Sequence, residues 1–531
     1  MEIRRFFVGG VLGGIVATIA LFIGTSLLAL PFPPLAIFQL LIAPVPGSIQ
    51  SVVVDLFKQY AKYSAFVFSS AIYSLVYGGI AVCVGLIFKG DVQRNAKNAT
   101  LVGTAITTVL TLGLQFELSG AFPAVSSLGG AIIAATLAVV VNLAYSKIMI
   151  HYTSPSPIIG TSQPQLQQPK RPLRRDFLKK VGIAVAVLVV AGVASKIGFS
   201  ILSNQPVISS GTSIPNNPAP EPVGNGVPNI FLDPRLQDLV GSEVTDNRVF
   251  YRVDIDPIPP QLDITQWALK IHGKVNNPIT LTANNFPTLS TMDEYATLEC
   301  VSNTIYPPGA LISNAKWTGF SLAALLNQAG VQPDAKYVIF RCGDGYTVGI
   351  PIQHALAPDA VLAIKMNDAV LPTEHGFPIR AIVPGLYGMM NAKWVTDIEV
   401  TDKVYLGYWQ ERGWSNDAQI RTTTILYYPA PNAQISGTTP IAGVAFAGDR
   451  GISKVEVSVD GGKTWNEATL KTPRSPYSWV LWAYEWTPTN SGPATIVARA
   501  YDSHGQLQDS AVNDPFPDGA SGYPSNQVTV A

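Results

Sequence analysis

At 531 residues the chain is long enough for three or four domains of about 150 residues each. Charged residues make up 13% of it, against about 25% in ordinary soluble domains, and its mean hydropathy is positive. A wholly soluble or disordered chain is thereby excluded, and the zero net charge hides two unlike parts. Residues 1–202 hold 15 Lys+Arg and 5 Asp+Glu, residues 203–531 hold 20 and 30, so the two carry +10 and −10. Neither shows a basic patch interleaved with aromatics outside the flanks of its apolar runs, which argues against nucleic acid as a partner.

Apolar runs at about 6–30, 64–88, 99–117, 121–146 and 181–202 each approach the roughly 20 residues a helix needs to cross a bilayer. They predict five transmembrane helices: a four-helix membrane region over 1–150, then 151–202 with a basic loop and the fifth helix. The stretch Pro31–Tyr60 is apolar but broken by Pro33, Pro34, Pro44 and Pro46, so an interfacial or re-entrant loop is expected there. With the N-terminus inside, twelve Lys and Arg are cytoplasmic and three, Lys58, Lys62 and Lys196, are outside. The expected location is the cell membrane, multi-pass, with everything after residue 202 extracytoplasmic. Arg174-Arg175-Asp176-Phe177-Leu178-Lys179-Lys180 looks like a twin-arginine export signal, though an internal one. The spans hold no paired His, since the five are His151, His272, His354, His375 and His504, so no haem is predicted.

Residues 203–228, rich in Pro, Asn and Ser, read as a linker. From 229 to 418, strand-like runs such as Tyr337–Arg341 mix with one helical stretch, Ser321–Gln328, and predict an α+β domain. From 419 to 531 the pattern is strands alone. Lys454–Val459 alternates strictly, Asp460-Gly461-Gly462 is a hairpin turn and Thr495–Ala500 alternates again, predicting an immunoglobulin-like β-sandwich. Trp479, Trp482 and Trp486 are expected in its core or interface.

Of three cysteines, Cys83 lies in an apolar run. Cys300 ends the strand-like Thr297-Leu298-Glu299-Cys300 and opens a polar turn, where a thiolate can hold a soft metal ion as its single protein ligand. No second Cys or His stands at zinc spacing around it. A disulfide with Cys342 is the competing reading.

Several runs, in this order, resemble the sulfite oxidase family of molybdenum enzymes: Phe250-Tyr251-Arg252, Trp267–Gly273, Leu298–Asn303, Ala315–Gly319, Asp344-Gly345-Tyr346, Leu371–Gly388, Lys393-Trp394, Tyr408-Trp409 and Arg412-Gly413-Trp414. Ser458–Trp465 and Ala500-Tyr501-Asp502 resemble that family's dimerisation domain. The resemblance implies a molybdopterin-binding catalytic domain over 229–418 and a dimerisation domain over 419–531, hence a homodimer. It makes Cys300 the thiolate ligand of molybdenum and places Tyr251, Asp344, His375, Arg380 and Lys393 around the pterin and its phosphate. It puts Arg252 at the metal pocket and Tyr405 near the oxo group. Lys316 is a further candidate for charge at the substrate.

One departure limits the substrate. Animal and plant sulfite oxidases follow the ligand Cys with Ala-Gly-Asn-Arg-Arg, whose second Arg helps bind the oxyanion, whereas this chain reads Cys300-Val301-Ser302-Asn303-Thr304-Ile305. The expected function is oxygen-atom transfer on a small sulfur or nitrogen oxo compound. Without a haem or nucleotide motif, the electrons would go to or from a separate carrier: a cytochrome, a copper protein or a quinone-linked subunit. Two alternatives stay open, a reductase of S- or N-oxides and a cofactor-free surface or docking protein that keeps the fold.

Overall fold

Four helices open the chain in the computed structural model, which describes residues 2–28, 32–34, 36–37, 61–88, 95–117, 128–153, 227–255, 259–305 and 311–531. They are α1 (Glu2–Leu28), α2 (Ala61–Ile87), α3 (Ala96–Glu117) and α4 (Leu128–Thr153), and they belong to the first of two compact units. α1 packs along α2 and α4, and α3 along α4. Small residues set the spacing, since a Cβ at Gly10 would come within 2.5 Å of Ala81 Cβ. Between the helices a buried polar cluster is satisfied internally. The Tyr77 hydroxyl lies 2.8 Å from that of Tyr73 and 2.7 Å from Asn142 Oδ1, to which it donates, and Thr111 Oγ1 lies 2.9 Å from it.

Among the described residues, two helical segments are long and apolar enough to cross a membrane by length and composition, Ile3–Phe22 with 20 residues and Val67–Ile87 with 21; Ala135–Ile148 is shorter. This corrects the five spans expected from hydropathy. The run in α3 is diluted by Thr100, Thr104, Thr107 and Thr111, which return their hydroxyls to the helix backbone or to a neighbouring helix instead of adding apolar surface. The fifth run, most of 31–60, the Arg174-Arg175 motif and nearly all of the 203–228 linker lie outside the described residues.

The second unit holds the described residues up to Ile255 from 227 and all from Leu262 onward. Its first sheet orders β2 (Ile279–Thr282), β1 (Ala268–Gly273), β10 (Val395–Thr401), β5 (Tyr337–Cys342) and β6 (Thr347–Pro351), antiparallel except where β1 lies beside β10. Its second orders β3 (Thr291–Glu299), β4 (Ile312–Ser321), β7 (Val361–Met366) and β8 (Ala369–Val370), with β9 (Arg380–Ile382) also on β7. The predicted helix is α5 (Leu322–Ala329), capped by Ser321, whose Oγ accepts from the Ala324 N–H at 3.1 Å. It buries Leu322, Leu325 and Leu326 into the core.

Two further sheets follow, β11 (Thr423–Tyr428), β13 (Thr439–Phe446), β17 (Val480–Trp486) and β16 (Thr469–Leu470) in one, and β12 (Gln434–Ile435), β19 (Ser525–Val530), β18 (Gly492–Asp502), β14 (Ile452–Ser458) and β15 (Asn466–Glu467) in the other. They share a core of Ile441, Trp482, Val455, Val457, Ile496 and Ala498, which makes a β-sandwich. Gly461 and Gly462 take φ of +76° and +92° in the turn between β14 and β15, as the hairpin reading required.

The boundary between these two regions is not a gap in packing. Every residue of β13 is buried, and Ala442, Val444 and Phe446 join Leu481 and Trp479 in the same core as Leu269, Phe340 and Tyr387. A sheet covered on both faces reads as a continuous apolar run, as Thr439–Phe446 does. A clasp reinforces the seam: the Glu243 carboxylate, 6% exposed, accepts from Lys471 Nζ at 2.6 Å and Arg474 Nε at 3.0 Å, and its carbonyl accepts from Trp479 Nε1 at 3.0 Å. Replacing Glu243 by Ala leaves Lys471 without its buried counter-ion and is expected to cost about 3 kcal/mol. A calorimetric midpoint unchanged from the parent chain would show that the clasp contributes nothing.

Candidate active site

Cys300 follows the last residue of β3, and its N–H donates to Leu311 O at 2.9 Å, which aligns it with the start of β4. Asn303 closes the intervening turn. Its N–H donates to Cys300 O at 2.9 Å, its Nδ2 to Glu299 Oε1 at 2.9 Å, and its Oδ1 accepts from Leu311 N at 3.2 Å. The Cys300 Sγ lies 2.9 Å from Ser302 Oγ. Burial pushes the thiol pKa up, with the Glu299 charge adding to it and the Ser302 bonds opposing it. Burial also lifts the Glu299 carboxyl to about 7.

The thiol borders a cavity. Also lining it are Tyr251, Arg252, Asp254, Asp344, Tyr346 and Arg380, then Gly388, Met389, Lys393, Trp409 and Trp414. Arg380 starts β9 with its guanidinium buried. Nη1 donates to His375 O at 3.3 Å, the group lies 5.3 Å from the centre of the Trp317 ring, and Nε has no acceptor. Among the described residues no carboxylate is within ion-pairing distance of it, and burial lowers its pKa to about 10. Lys393 is held differently, ion-paired with the fully buried side chain of Asp254 and 4.4 Å over the Trp394 ring. Asp344 Oδ1 accepts from the Tyr346 N–H at 2.9 Å. Gly388 is required by close approach, because a Cβ there would collide with the Tyr251 hydroxyl.

Of the nine residues singled out from sequence, Cys300, Tyr251, Arg252, Asp344, Arg380 and Lys393 line this one cavity. Three are not among its lining residues. Lys316 alternates on β4 with the fully buried Trp317, so it projects from the face opposite the one on which Trp317 meets Arg380, and its ammonium sits 2.8 Å from Asp368 and 3.1 Å from Asp293. Tyr405 donates to Thr347 Oγ1 at 3.0 Å, with Arg341 over its ring. The His375 ring donates from Nε2 to Asn247 O at 2.7 Å and packs edge-on against Phe250, so only its backbone touches Arg380. The sequence reading missed Asp254, Tyr346 and Trp414 as cavity residues. Tyr346 stood in the Asp-Gly-Tyr run already singled out, and its buried hydroxyl donates to Met389 O at 2.6 Å.

The residues suit a phosphate-bearing, metal-carrying cofactor. Among the described residues no group of three or more His, Cys, Asp or Glu could hold a metal ion. A lone thiolate therefore needs the other ligands from a bound molecule, and the buried Arg380 needs an anion.

Comparison with known proteins agrees with that donor set. The oxidoreductase molybdopterin-binding domain matches residues 256–409, and the Mo-co oxidoreductase dimerisation domain matches 416–513. The chain is 30% identical over 157 residues to the uncharacterized oxidoreductase YuiH of Bacillus subtilis, covering 30% of this chain and 76% of that one. The chain belongs to the molybdopterin oxidoreductases. Within the family it is 31% identical over 329 residues to the mitochondrial sulfite oxidase of Drosophila melanogaster, covering 52% of this chain and 57% of that one. Against the sulfite oxidase of Arabidopsis thaliana it is 29% identical over 335 residues, covering 52% and 85%. It thus spans less than two thirds of the length of the insect and mammalian relatives.

An unpaired buried guanidinium is costly until an anion meets it. Arg380→Met is therefore expected to stabilise the cofactor-free chain by about 1 kcal/mol or more, while molybdenum bound per chain falls. A destabilised cofactor-free variant would show that the bonds of Arg380 to His375 and Trp317 outweigh its desolvation.

Proposed function

We propose that this oxidoreductase transfers an oxygen atom to or from a small sulfur or nitrogen oxo compound, in the manner of a sulfite oxidase, from a site outside the cell membrane. The observation that carries this reading is the convergence of the Cys300 thiol and the unpaired, buried Arg380 on one cavity. Cys300 is the thiolate ligand of molybdenum. Arg380 holds the cofactor's phosphate as a fork of donors, Lys393 adds a point charge steadied by Asp254, and Asp344 and Tyr251 accept and donate along the pterin. The bound molybdenum cofactor supplies two-electron redox chemistry at an exchangeable oxo group.

The protein's own part is orientation, charge and dryness. Arg252 is the lining cation with no role on the phosphate arm, so it is assigned to the substrate's oxygen. The Tyr346 hydroxyl, whose ionisation burial disfavours, gives its one proton to Met389 O and so shapes the wall rather than acting as a base. Trp409, Trp414 and Met389 exclude water. Ile305, 8% exposed, brings no cation after the ligand Cys. The missing cation at that position supports the second reading, a reductase of uncharged S- or N-oxides, better than a sequence with two arginines there would.

Two of the four N-terminal helices suit a bilayer by length and composition, and the Lys/Arg bias supports an anchor with the catalytic region outside and the internal Arg174-Arg175 motif as export signal. The C-terminal sandwich, of immunoglobulin type, makes a homodimer. Electrons pass to a separate carrier, and the −10 charge of residues 203–531 favours a basic one.

Loaded in a host that makes the cofactor, the chain is expected to carry close to one molybdenum and to turn over sulfite with an artificial acceptor or an S-oxide with an artificial donor. Cys300→Ser removes both metal and turnover; turnover that survives it would refute the ligand assignment, and a molybdenum ratio near zero in the parent chain would refute the enzyme reading in favour of a docking protein. With a basic carrier the electron-transfer rate is expected to fall as salt rises from 10 to 150 mM, over which screening lengths shrink from about 30 to 8 Å. A rate indifferent to salt would mean that charge does not steer the partner.

A further inference from the structure

The loop spanning residues 513–524 belongs to the β-sandwich, between β18 and β19, yet it lies behind the wall of the cavity. The Phe516 ring meets Trp414 edge to face, with centroids 5.1 Å apart and planes at 76°. It also lies so close to the chain before Trp414 that a Cβ on Gly413 would stand 3.2 Å from Phe516 Cζ. Backbone bonds fix the loop in this place. Ser415 N donates to Pro517 O at 3.1 Å, Arg421 Nε to Asp518 O at 3.1 Å, and Gly519 N closes the turn on Pro515 O at 2.7 Å.

Trp414 lines the cavity together with Cys300 and is 6% exposed, but its Nε1 has no hydrogen-bond acceptor. An indole without a polar anchor is placed by packing alone. Its backbone is tied to the same wall, since Trp414 N donates to Trp409 O at 3.2 Å and Trp409 lines the cavity as well.

We infer that Phe516 is a positioning residue which, through Trp414, sets how large a molecule can reach Cys300, so that the second domain takes part in selecting the substrate. The inference rests on reading this cavity as the reaction site, but its test has an arm that does not need turnover. In full-length chain produced without cofactor, Cys300 is alkylated with iodoacetamide or with the bulkier N-(1-pyrenyl)maleimide, and the modification of each cysteine is followed by mass spectrometry. Phe516→Ala is expected to speed pyrenylmaleimide at Cys300 by about tenfold relative to iodoacetamide, as loss of local packing allows. Cys342 serves as reference and keeps its ratio, and Phe516→Leu returns Cys300 close to the parent. Equal acceleration by both reagents, parallel acceleration at Cys342, or no change at Cys300 would each overturn the assignment, the first two by showing general loosening. In the molybdenum-loaded chain the same variant is expected to lower KM for methyl phenyl sulfoxide relative to sulfite with kcat and metal content kept. A parent chain that turns over neither compound sinks the functional reading, while the alkylation result still decides the role of Phe516.

Discussion

A sheet buried on both faces is the constraint on which the second unit depends. β13 has no exposed residue, so one side of its sheet fills the sandwich and the other fills the catalytic core. Taking that sheet away would open the core that Ala442, Val444 and Phe446 share with the first region as well as the sandwich interior. At about 25 cal/mol per Å² of apolar surface, such a seam outweighs any single polar contact made across it. Two regions that match separate domain descriptions are therefore physically one body.

That seam determines what the candidate site can be made of. Cys300, Arg380, Lys393 and Gly388 are contributed by the first region, on a strand end, a short inner strand and the turn held by Asn391, whose Oδ1 accepts from Val383 N at 2.7 Å and whose Nδ2 donates to Leu386 O at 3.1 Å. The wall beside them is held from the other region, where Phe516 seats Trp414. The cavity's charge is arranged with equal economy. Lys393 is matched inside the protein by Asp254, whereas Arg380 is left to a ligand. A buried fork of donors without a carboxylate is unstable by itself and selective for a planar or tetrahedral anion.

Much of this was legible before the fold was known. Strict alternation in Lys454–Val459, the Gly-Gly turn after it and the helical pattern of Ser321–Gln328 are local signals, and the elements they predict are present. Cys300 was legible because a thiol at a strand end with no zinc partner has few uses. Lys316, Tyr405 and His375 are not among the residues that line the cavity, because strand alternation turns Lys316 to the other face of β4 while the Tyr405 and His375 side chains are held by Thr347 and Asn247. Of the hydropathy runs, those in α1 and α2 are long and apolar enough to cross a membrane, whereas α3 is apolar on average but diluted by threonines that bond back to its own backbone.

By itself, then, the sequence determined the β-strand and turn elements named above and the family, because these depend on periodicity, turn chemistry and motifs a few residues long. Only the tertiary structure decided that Arg380 is unpaired while Lys393 is not, that Asp254, Tyr346 and Trp414 belong to the cavity, and that a loop more than a hundred residues further on supports its wall. Those facts depend on which face of a strand meets which neighbour, and no local stretch of chain contains that information.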